Sequence, residues 1–423
     1  MRHPGQAPQT VGIVQIAEQG HDAGLAQCLR TLRGGGECDD AKTWLRQGRQ
    51  AQSDIATADD EQSGFTKLTH QHGNLSVMSF EVSVLPSRHR FDVNEGETIL
   101  AAAIRQGVGL PYGCQDGACG SCKCQWVSGE FELGLHQLKA LSEAEHAAGF
   151  ILACRTHPRS DLVIQSHELP AAGLFAVKKM PCRVISIERL TSDVAIIRLQ
   201  LPANDRFDYH AGQYVQFILR DGSRRSYSMA NAPTGEKHIE LHLRHMPGGK
   251  FTDHVFGAMK DKDILRMEGP FGSFYLREES DKPMVLLASG TGLAPIKAII
   301  EDLRTKGQTR PAVLYWGCRS KADLYLHAWA QEQAAAMPWL RYVPVLSEPK
   351  PEDAWSGRTG LVHREVMADW PDLSGHEVYA CGAPIMVESA RADFMSRCFL
   401  PEDAFFADAF TTEADKAGPA ARD

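Results

Sequence analysis

The chain has 423 residues, 43% of them hydrophobic, and a formal net charge of -8 with acidic and basic side chains mixed along its length. That is material for about two to four packed domains, without the basic footprint that a nucleic-acid backbone or an anionic membrane requires. The most apolar run, MVLLASGTGLAPIKAII at 284–300, is broken by Gly, Ser, Pro and Lys, short of the roughly 20 apolar residues of a spanning helix. The start, MRHPGQAPQT, lacks the charged-then-apolar pattern of a secretory signal. A cytoplasmic, reducing setting is expected, where clustered cysteines point to metal more than to disulfides.

Residues 1–77 are rich in Gln, Gly, Asp, Ser and Thr, and their scattered Leu and Ile keep no helical or alternating period. A disordered extension is expected there, with the natural start at Met78. Order begins in MSFEVSVL, whose Phe80, Val82 and Val84 alternate as in a half-buried strand. From 78 to 172 the pattern predicts a small α+β domain. It has a strand pair near 80–93 and the helix ETILAAAIRQG, ending at Gly107, whose missing Cβ suits a left-handed cap. A cysteine loop follows, then the strand CQWV, a short helix with Ser142 and Glu145 at capping-box spacing, and the strand DLVIQS. Between 176 and 278 the strands CRVISIERL, VAIIRLQL, YVQFIL and HIELHLRH predict an antiparallel β-barrel with one helix near FTDHVFGAM. From 280 to 410 the strands PMVLLAS, PAVLYWG, LRYVPVL and HEVYACG alternate with helical stretches near 295–306, 321–336 and 384–398. This is the rhythm of an α/β parallel, doubly wound sheet. Residues 411–423 read as a flexible tail.

The loop PYGCQDGACGSCKCQW at 111–126 sets Cys114, Cys119 and Cys122 in C-x4-C-x2-C spacing, and Cys154 follows in FILACR. This is the plant-type ferredoxin ligand pattern. Two bridged irons need four thiolates in one small volume, so a tight loop presents three and a returning segment the fourth. Gly113, Gly117 and Gly120 let the backbone wrap closely and aim amides at the sulfurs. Cys124 reads as a packing residue. Cys119, Cys122, Cys154 and His157 also have the makings of a Cys3His zinc site, a reading that leaves Cys114 and the glycines unexplained. Cys28, Cys38, Cys182, Cys318 and Cys398 are isolated and read as buried or idle thiols.

In the barrel region Arg225, Tyr227 and Ser228 share one strand, and GGKFT at 248–252 opens the helix. A pyrophosphate needs a cation and the backbone amides of a positive helix end, and these are two halves of such a site. In this order after a ferredoxin loop, they resemble the ferredoxin-NADP reductase superfamily. The resemblance implies that Arg225, Tyr227 and Ser228 bind FAD, with the tyrosine on the isoalloxazine and the serine at its N5 edge. It also implies that Gly249, Lys250 and Thr252 hold the FAD phosphates.

LLASGTGLAPIKAII runs a strand through Gly290, Thr291 and Gly292 into a helix, the place where dinucleotides bind, though without the third glycine of the GxGxxG fingerprint. In the resembled superfamily this shorter turn takes the nicotinamide nucleotide. There a later C-G-x-P, here Cys381, Gly382 and Pro384, sets its cysteine beside the hydride-donating carbon. By itself Cys381 is also a plain buried thiol. At the end of the second strand, Arg319 and Lys321 suit a ribose phosphate and Asp323 a free hydroxyl; the resemblance favours NADH and leaves NADPH open. FFADAF at 405–410 lies where relatives lay a terminal residue over the flavin, and reads equally well as a core strand.

The order of ferredoxin, flavin barrel and nucleotide sheet over 78–410 is similar to that of reductase components of phenol hydroxylase, naphthalene dioxygenase and methane monooxygenase systems. It is similar also to CDP-6-deoxy-3,4-glucoseen reductases, to which MSFEVSVLPS and FFADAF look nearest. The resemblance implies electron transfer from NAD(P)H through FAD and a [2Fe-2S] cluster to a partner protein. That partner is expected to be an oxygenase component or a pyridoxamine-dependent dehydratase, and transient docking of this kind suits a monomer. Two other readings remain at this stage: a flavin enzyme acting directly on a small substrate, and a zinc-stapled binding protein without turnover.

Overall fold

A computed structural model describes residues 78–169 and 174–412. The expectations for residues 1–77 and for most of the tail fall outside the described residues.

The first sheet grows from alternation. In β1 (Ser79–Leu85), Val82 and Val84 are buried, and β1 pairs antiparallel with β2 (His89–Asn94) and parallel with β7 (Leu162–Gln165). β3 (Lys123–Ser128) and β5 (Phe150–Leu152) complete the order β2-β1-β7-β3-β5, while β4 (Phe131–Leu133) and β6 (Thr156–Pro158) form a separate ribbon. Helix α1 (Ile99–Gln106) starts at Thr98, whose hydroxyl accepts from Ala101 N, and stops at Gly107 with φ +70°. A residue with a Cβ pays a steric cost in that left-handed cap. Ser142 and Glu145 close the capping box of the short α2 (Glu143–Ala147).

The second unit comprises β8 (Lys178–Arg189), β9 (Val194–Gln200), β10 (Tyr214–Ile218), β11 (Arg224–Ser228), β12 (His238–Arg244) and β13 (Ile264–Phe271). All their pairings are antiparallel, in the order β11-β10-β13-β8-β9-β12, and the Met229–Leu241 bridge joins the two ends into a barrel. Helix α3 (Lys250–Gly257) plugs one end through Phe251 and Val255.

In the third unit six parallel strands run in the order β17-β16-β15-β14-β18-β19. They are β14 (Met284–Ser289), β15 (Ala312–Cys318), β16 (Leu340–Leu346), β17 (Arg358–Thr359), β18 (Glu377–Gly382) and β19 (Phe405–Ala409). Because side chains alternate across a strand, Met284, Leu286 and Ala288 face one core and Val285 and Leu287 the other. The first core is covered by α4 (Leu293–Thr305) and α5 (His327–Ala336). The second is covered by α6 (Val362–Asp369) and α7 (Pro384–Arg397). The strand order reverses between β14 and β18, so the carboxyl ends of these two strands form the crevice where α/β sheets bind ligands. Helix α6 is absent from the sequence reading. It has eight residues and no side-chain cap, so neither period nor boundary announces it.

A buried polar network joins the barrel to the sheet. Lys297 on α4 donates to Ala230 O at 3.0 Å and pairs with Glu240 at 3.1 Å and Glu301 at 2.6 Å. Glu240 also meets Arg198 at 2.9 Å and His242 Nε2 at 3.1 Å, and His242 Nδ1 lies 2.9 Å from the Tyr325 hydroxyl. Burial keeps the His242 ring neutral, so with Nε2–H given to Glu240, Nδ1 accepts from Tyr325. Burial alone would raise the pKa of Glu240, but the His242 hydrogen bond and the Lys297 charge outweigh it and hold the group at about 2.

Since the folded value lies below the ordinary 4.5, this stabilisation is complete above that pH and drains as pH falls toward 2. Glu240→Gln is therefore expected to lower stability at neutral pH and to flatten its loss in acid. Urea midpoints of both proteins across this range check it, and equal acid slopes would refute the assignment.

Candidate functional site

Cys114, Cys119 and Cys122 lie between α1 and β3, and Cys154 follows β5. Gly117 and Gly120 take φ of +80° and +77°, and a Cβ on Gly113 would stand 3.3 Å from the Cys119 sulfur. Backbone amides face the sulfurs: Cys114 N and Ser121 N donate to Cys119 at 3.4 and 3.5 Å, and Ala118 N donates to Cys114 at 3.4 Å. The thiols act on one another in two pairs, Cys114 with Cys119 and Cys154 with Cys122. Cys114, helped by the amides of Cys114 and Ser121, pulls the Cys119 thiol down, and the same pairing pushes Cys114 and Cys154 up. Four clustered thiolates would repel one another strongly unless a cationic centre neutralised them, and two pairs suit two bridged ions.

A lone ion fits less well. His157, needed for a zinc set, turns its Nδ1 to Gly96 O at 3.2 Å and pairs across the ribbon with Glu132. Cys124 is buried in β3, and the described cysteines form no disulfide.

The two halves of the expected flavin site lie side by side. Arg225 and Tyr227 alternate onto one side of β11. Lys250 Nζ pairs with Asp221 at 2.5 Å, which seats the start of α3 beside the β10–β11 hairpin. Phe251 stacks on Phe217 at 4.7 Å and tilts against Tyr227 at 5.1 Å. Gly249 is the N-cap without a side-chain hydrogen bond, so first-turn amides keep the open donors that an anion uses. The Thr252 hydroxyl is turned inward, donating to Met246 O at 3.0 Å. Thr252 therefore shapes this turn, and Lys250 is drawn partly toward Asp221. Cation, ring and uncapped helix start together fit a flavin pyrophosphate and ring.

At the crevice of the parallel sheet, Gly290 has φ +52° and its carbonyl accepts from Trp316 Nε1 at 2.9 Å. A Cβ on Gly292 would run into the Cys381 carbonyl, and one on Gly382, at φ +131°, into Ser289. Gly290, Thr291, Gly292, Cys381 and Gly382 thus converge because two of the glycines lack side chains. Above them hangs Arg244, at the end of β12, with Nη2 3.5 Å from where a Gly290 Cβ would be. Its Nε lies 3.5 Å from Asp193, and neither buried Nε nor Nη2 makes a hydrogen bond, so this guanidinium fits a nucleotide phosphate entering over the turn. Asp323 accepts from Ser320 N and Oγ, both at 2.9 Å, and Lys321 Nζ reaches Asp353 O at 3.3 Å.

The three sites meet at Asp408 on β19. Ser228 Oγ donates to its Oδ2 at 3.3 Å, and Cys381 is its register partner on β18. Its Oδ1 stands 3.7 Å from where a Gly113 Cβ would be. Burial first, and then the neighbouring Cys119, raise Asp408 to about 7, while the Ser228 bond opposes them. Tyr214 of the barrel, fully buried, donates to Gly113 O and accepts from Gln115 Nε2, both at 2.7 Å. Ser273 exchanges hydrogen bonds with Tyr112 at 2.9 to 3.0 Å. Asp408, Arg244 and Tyr214 were not singled out in the sequence. The signals were an acid inside the apolar FFADAF and an arginine closing a strand.

Family models match three stretches: a 2Fe-2S iron-sulfur cluster binding domain over residues 82–159, an oxidoreductase FAD-binding domain over 181–275 and an oxidoreductase NAD-binding domain over 286–392. CDP-6-deoxy-L-threo-D-glycero-4-hexulose-3-dehydrase reductase of Yersinia pestis is 41% identical over 79% of this chain and 99% of its own length. Phenol hydroxylase P5 protein of Acinetobacter pittii is 38% identical over 82% of this chain and 98% of its own. The crystal structure of the Amycolatopsis cytochrome P450 reductase GcoB superposes with a TM-score of 0.66 at 34% identity, covering 79% of this chain and 99% of that one. By its three matched domains and these full-length relatives, the chain belongs to the three-domain reductases of the ferredoxin-NADP reductase superfamily.

Proposed function

We propose that Cys114, Cys119, Cys122 and Cys154 hold the two-iron cluster, one thiol pair to each iron. Arg225, Tyr227, Ser228 and the start of α3 at Gly249 and Lys250, in the turn that Thr252 shapes, hold FAD. Gly290, Thr291, Gly292, Cys381 and Gly382, with Arg244, receive the nicotinamide nucleotide. The chain is an NAD(P)H oxidoreductase with FAD and a [2Fe-2S] cluster as its cofactors. When bound, these groups supply the conversion of a two-electron hydride into single electrons.

The chain's own residues supply position and electrostatics. Tyr227, backed by the buried Phe251 and Phe217, offers an aromatic ring at the flavin site, and Ser228 is oriented by its bond to Asp408. Amides aimed at the sulfurs favour added negative charge there. The Tyr214 and Ser273 bonds fix the cysteine loop against the barrel. The observation that carries the reading is this junction: Asp408 touches the flavin strand, pairs in register with Cys381 and lies against the cysteine loop.

We take NADH as the donor, because Asp323 lies in the short turn that follows β15, the region where a carboxylate favours a free ribose hydroxyl, and Lys321 is drawn to Asp353. We place the acceptor among partner proteins, a pyridoxamine-dependent dehydratase or an oxygenase component, in keeping with relatives named as a dehydrase reductase and as a phenol hydroxylase P5 protein. We place the work in the cytoplasm, where the free thiols persist; among the described residues no helix is long and apolar enough to cross a membrane.

The protein is expected to contain about two irons and two acid-labile sulfides per chain, with flavin absorbance bleached by NADH; a colourless zinc protein overturns the assignment. Cys122→Ser is expected to abolish electron transfer to cytochrome c while leaving NADH-driven flavin reduction within about twofold, a step whose groups it does not touch. Parallel loss of both activities contradicts the division of labour. Gly292→Ala, which pushes a methyl into the Cys381 carbonyl, is expected to slow flavin reduction at least about tenfold. Photochemical reduction of its flavin should be unaffected, which separates a nucleotide defect from a flavin defect.

A further inference from the structure

Lys297 lies five residues beyond Gly292 on α4, the helix that the nucleotide turn opens into. Its side chain is 10% exposed, and its ammonium finds three acceptors: Ala230 O at 3.0 Å, Glu240 Oε1 at 3.1 Å and Glu301 Oε1 at 2.6 Å. The Trp329 ring closes the pocket at 5.6 Å. Two of these acceptors belong to the barrel. Ala230 follows Ser228 by two residues, and its own amide donates to Glu240 O at 2.8 Å, so the carbonyl that Lys297 grips is fixed in place.

We propose that Lys297 is a positioning residue for hydride transfer, tying the helix behind the Gly290–Gly292 turn to the strand end behind Ser228 and so setting how the nicotinamide approaches the flavin. From Gly292 along α4 to Lys297, across to Ala230 and back to Ser228, the connection runs through regular helix, a buried hydrogen bond and the two residues that follow β11, which are held to β12 by the Met229–Leu241 bridge and the Ala230 N bond to Glu240 O. Glu301, one helical turn on, holds the ammonium from its own helix, while Glu240 is held in turn by Arg198 and His242. The tie is directional, since an ammonium needs its acceptors at fixed angles where an apolar contact can slide. Remote misplacement of reacting groups by about 1 Å can cost about a hundredfold in rate.

The role rests on the reductase reading, and the experiment keeps the two apart. Lys297→Met, Lys297→Arg and Glu301→Gln are prepared as FAD- and cluster-loaded full chains. Three measurements follow: flavin reduction by NADH in stopped flow, NAD+ affinity by titration, and hydrogen exchange of the segments 228–240 and 293–301 without nucleotide. Lys297→Met is expected to slow flavin reduction by about tenfold to a hundredfold, with NAD+ affinity within about twofold of wild type and faster exchange in both segments. Lys297→Arg is expected to recover part of the rate. Glu301→Gln, which keeps both bonds to the barrel, should stay near wild type. If Lys297→Met does not accumulate folded, the double variant Lys297→Met/Glu301→Gln, which orphans one carboxylate fewer, carries the same comparison. An unchanged rate in a folded Lys297→Met or double variant overturns the proposal, as does a rate loss matched by an equal loss of NAD+ affinity. Failure of the wild-type chain to reduce its flavin with NADH would instead overturn the reductase reading.

Discussion

A buried hydroxyl holds the electron-carrying loop in place. Tyr214 rises from a barrel strand, donates to Gly113 O and accepts from Gln115 of the cysteine loop. Docked in another register, the loop would leave that hydroxyl buried without partners, at a cost of about 1–3 kcal/mol. The cysteine-bearing domain therefore docks in one register. The Ser273–Tyr112 bonds repeat the constraint one step along the chain.

The other domain contacts use the same device. Asp408 is a carboxylate among apolar neighbours, kept by its bond to Ser228 and raised by burial. The Lys297–Glu240–His242–Tyr325 chain is a second polar seam, satisfied at each step. Apolar packing also joins barrel and sheet: Phe274 and Leu276 lie in the core of Leu286 and Tyr379, and Arg277 sits over the Phe406 ring at 4.6 Å. Packing supplies adhesion, while hydrogen-bonded seams select one arrangement among many of similar area. A reductase whose steps link sites on three domains needs that selection more than it needs strength.

The local chemistry of each site was legible in the chain because it resides in short segments. Cysteine spacing, the glycines of two turns, a left-handed cap at Gly107 and a capping box at Ser142 are set by backbone geometry within a few residues. The alternation of Val82 with Val84 announces β1, and the repeated strand and helix rhythm announces the parallel sheet. FFADAF was ambiguous in sequence; its register beside β18 makes it the last parallel strand. Helix α6 stayed hidden because its short apolar face carries no capping signal.

By itself, the sequence announced the order of iron-sulfur, flavin and nucleotide units and, through its resemblance to a known superfamily, the cofactor class of each, since cysteine spacing, turn glycines and strand rhythm are local properties. Only the tertiary structure decided that Asp408 joins the three sites, that Arg244 leans over a turn nearly fifty residues away, and that Lys297 reaches back to Ala230. Such meetings arise where strands from distant parts of the chain end at a common edge. No periodicity within a segment records which other segment will lie against it.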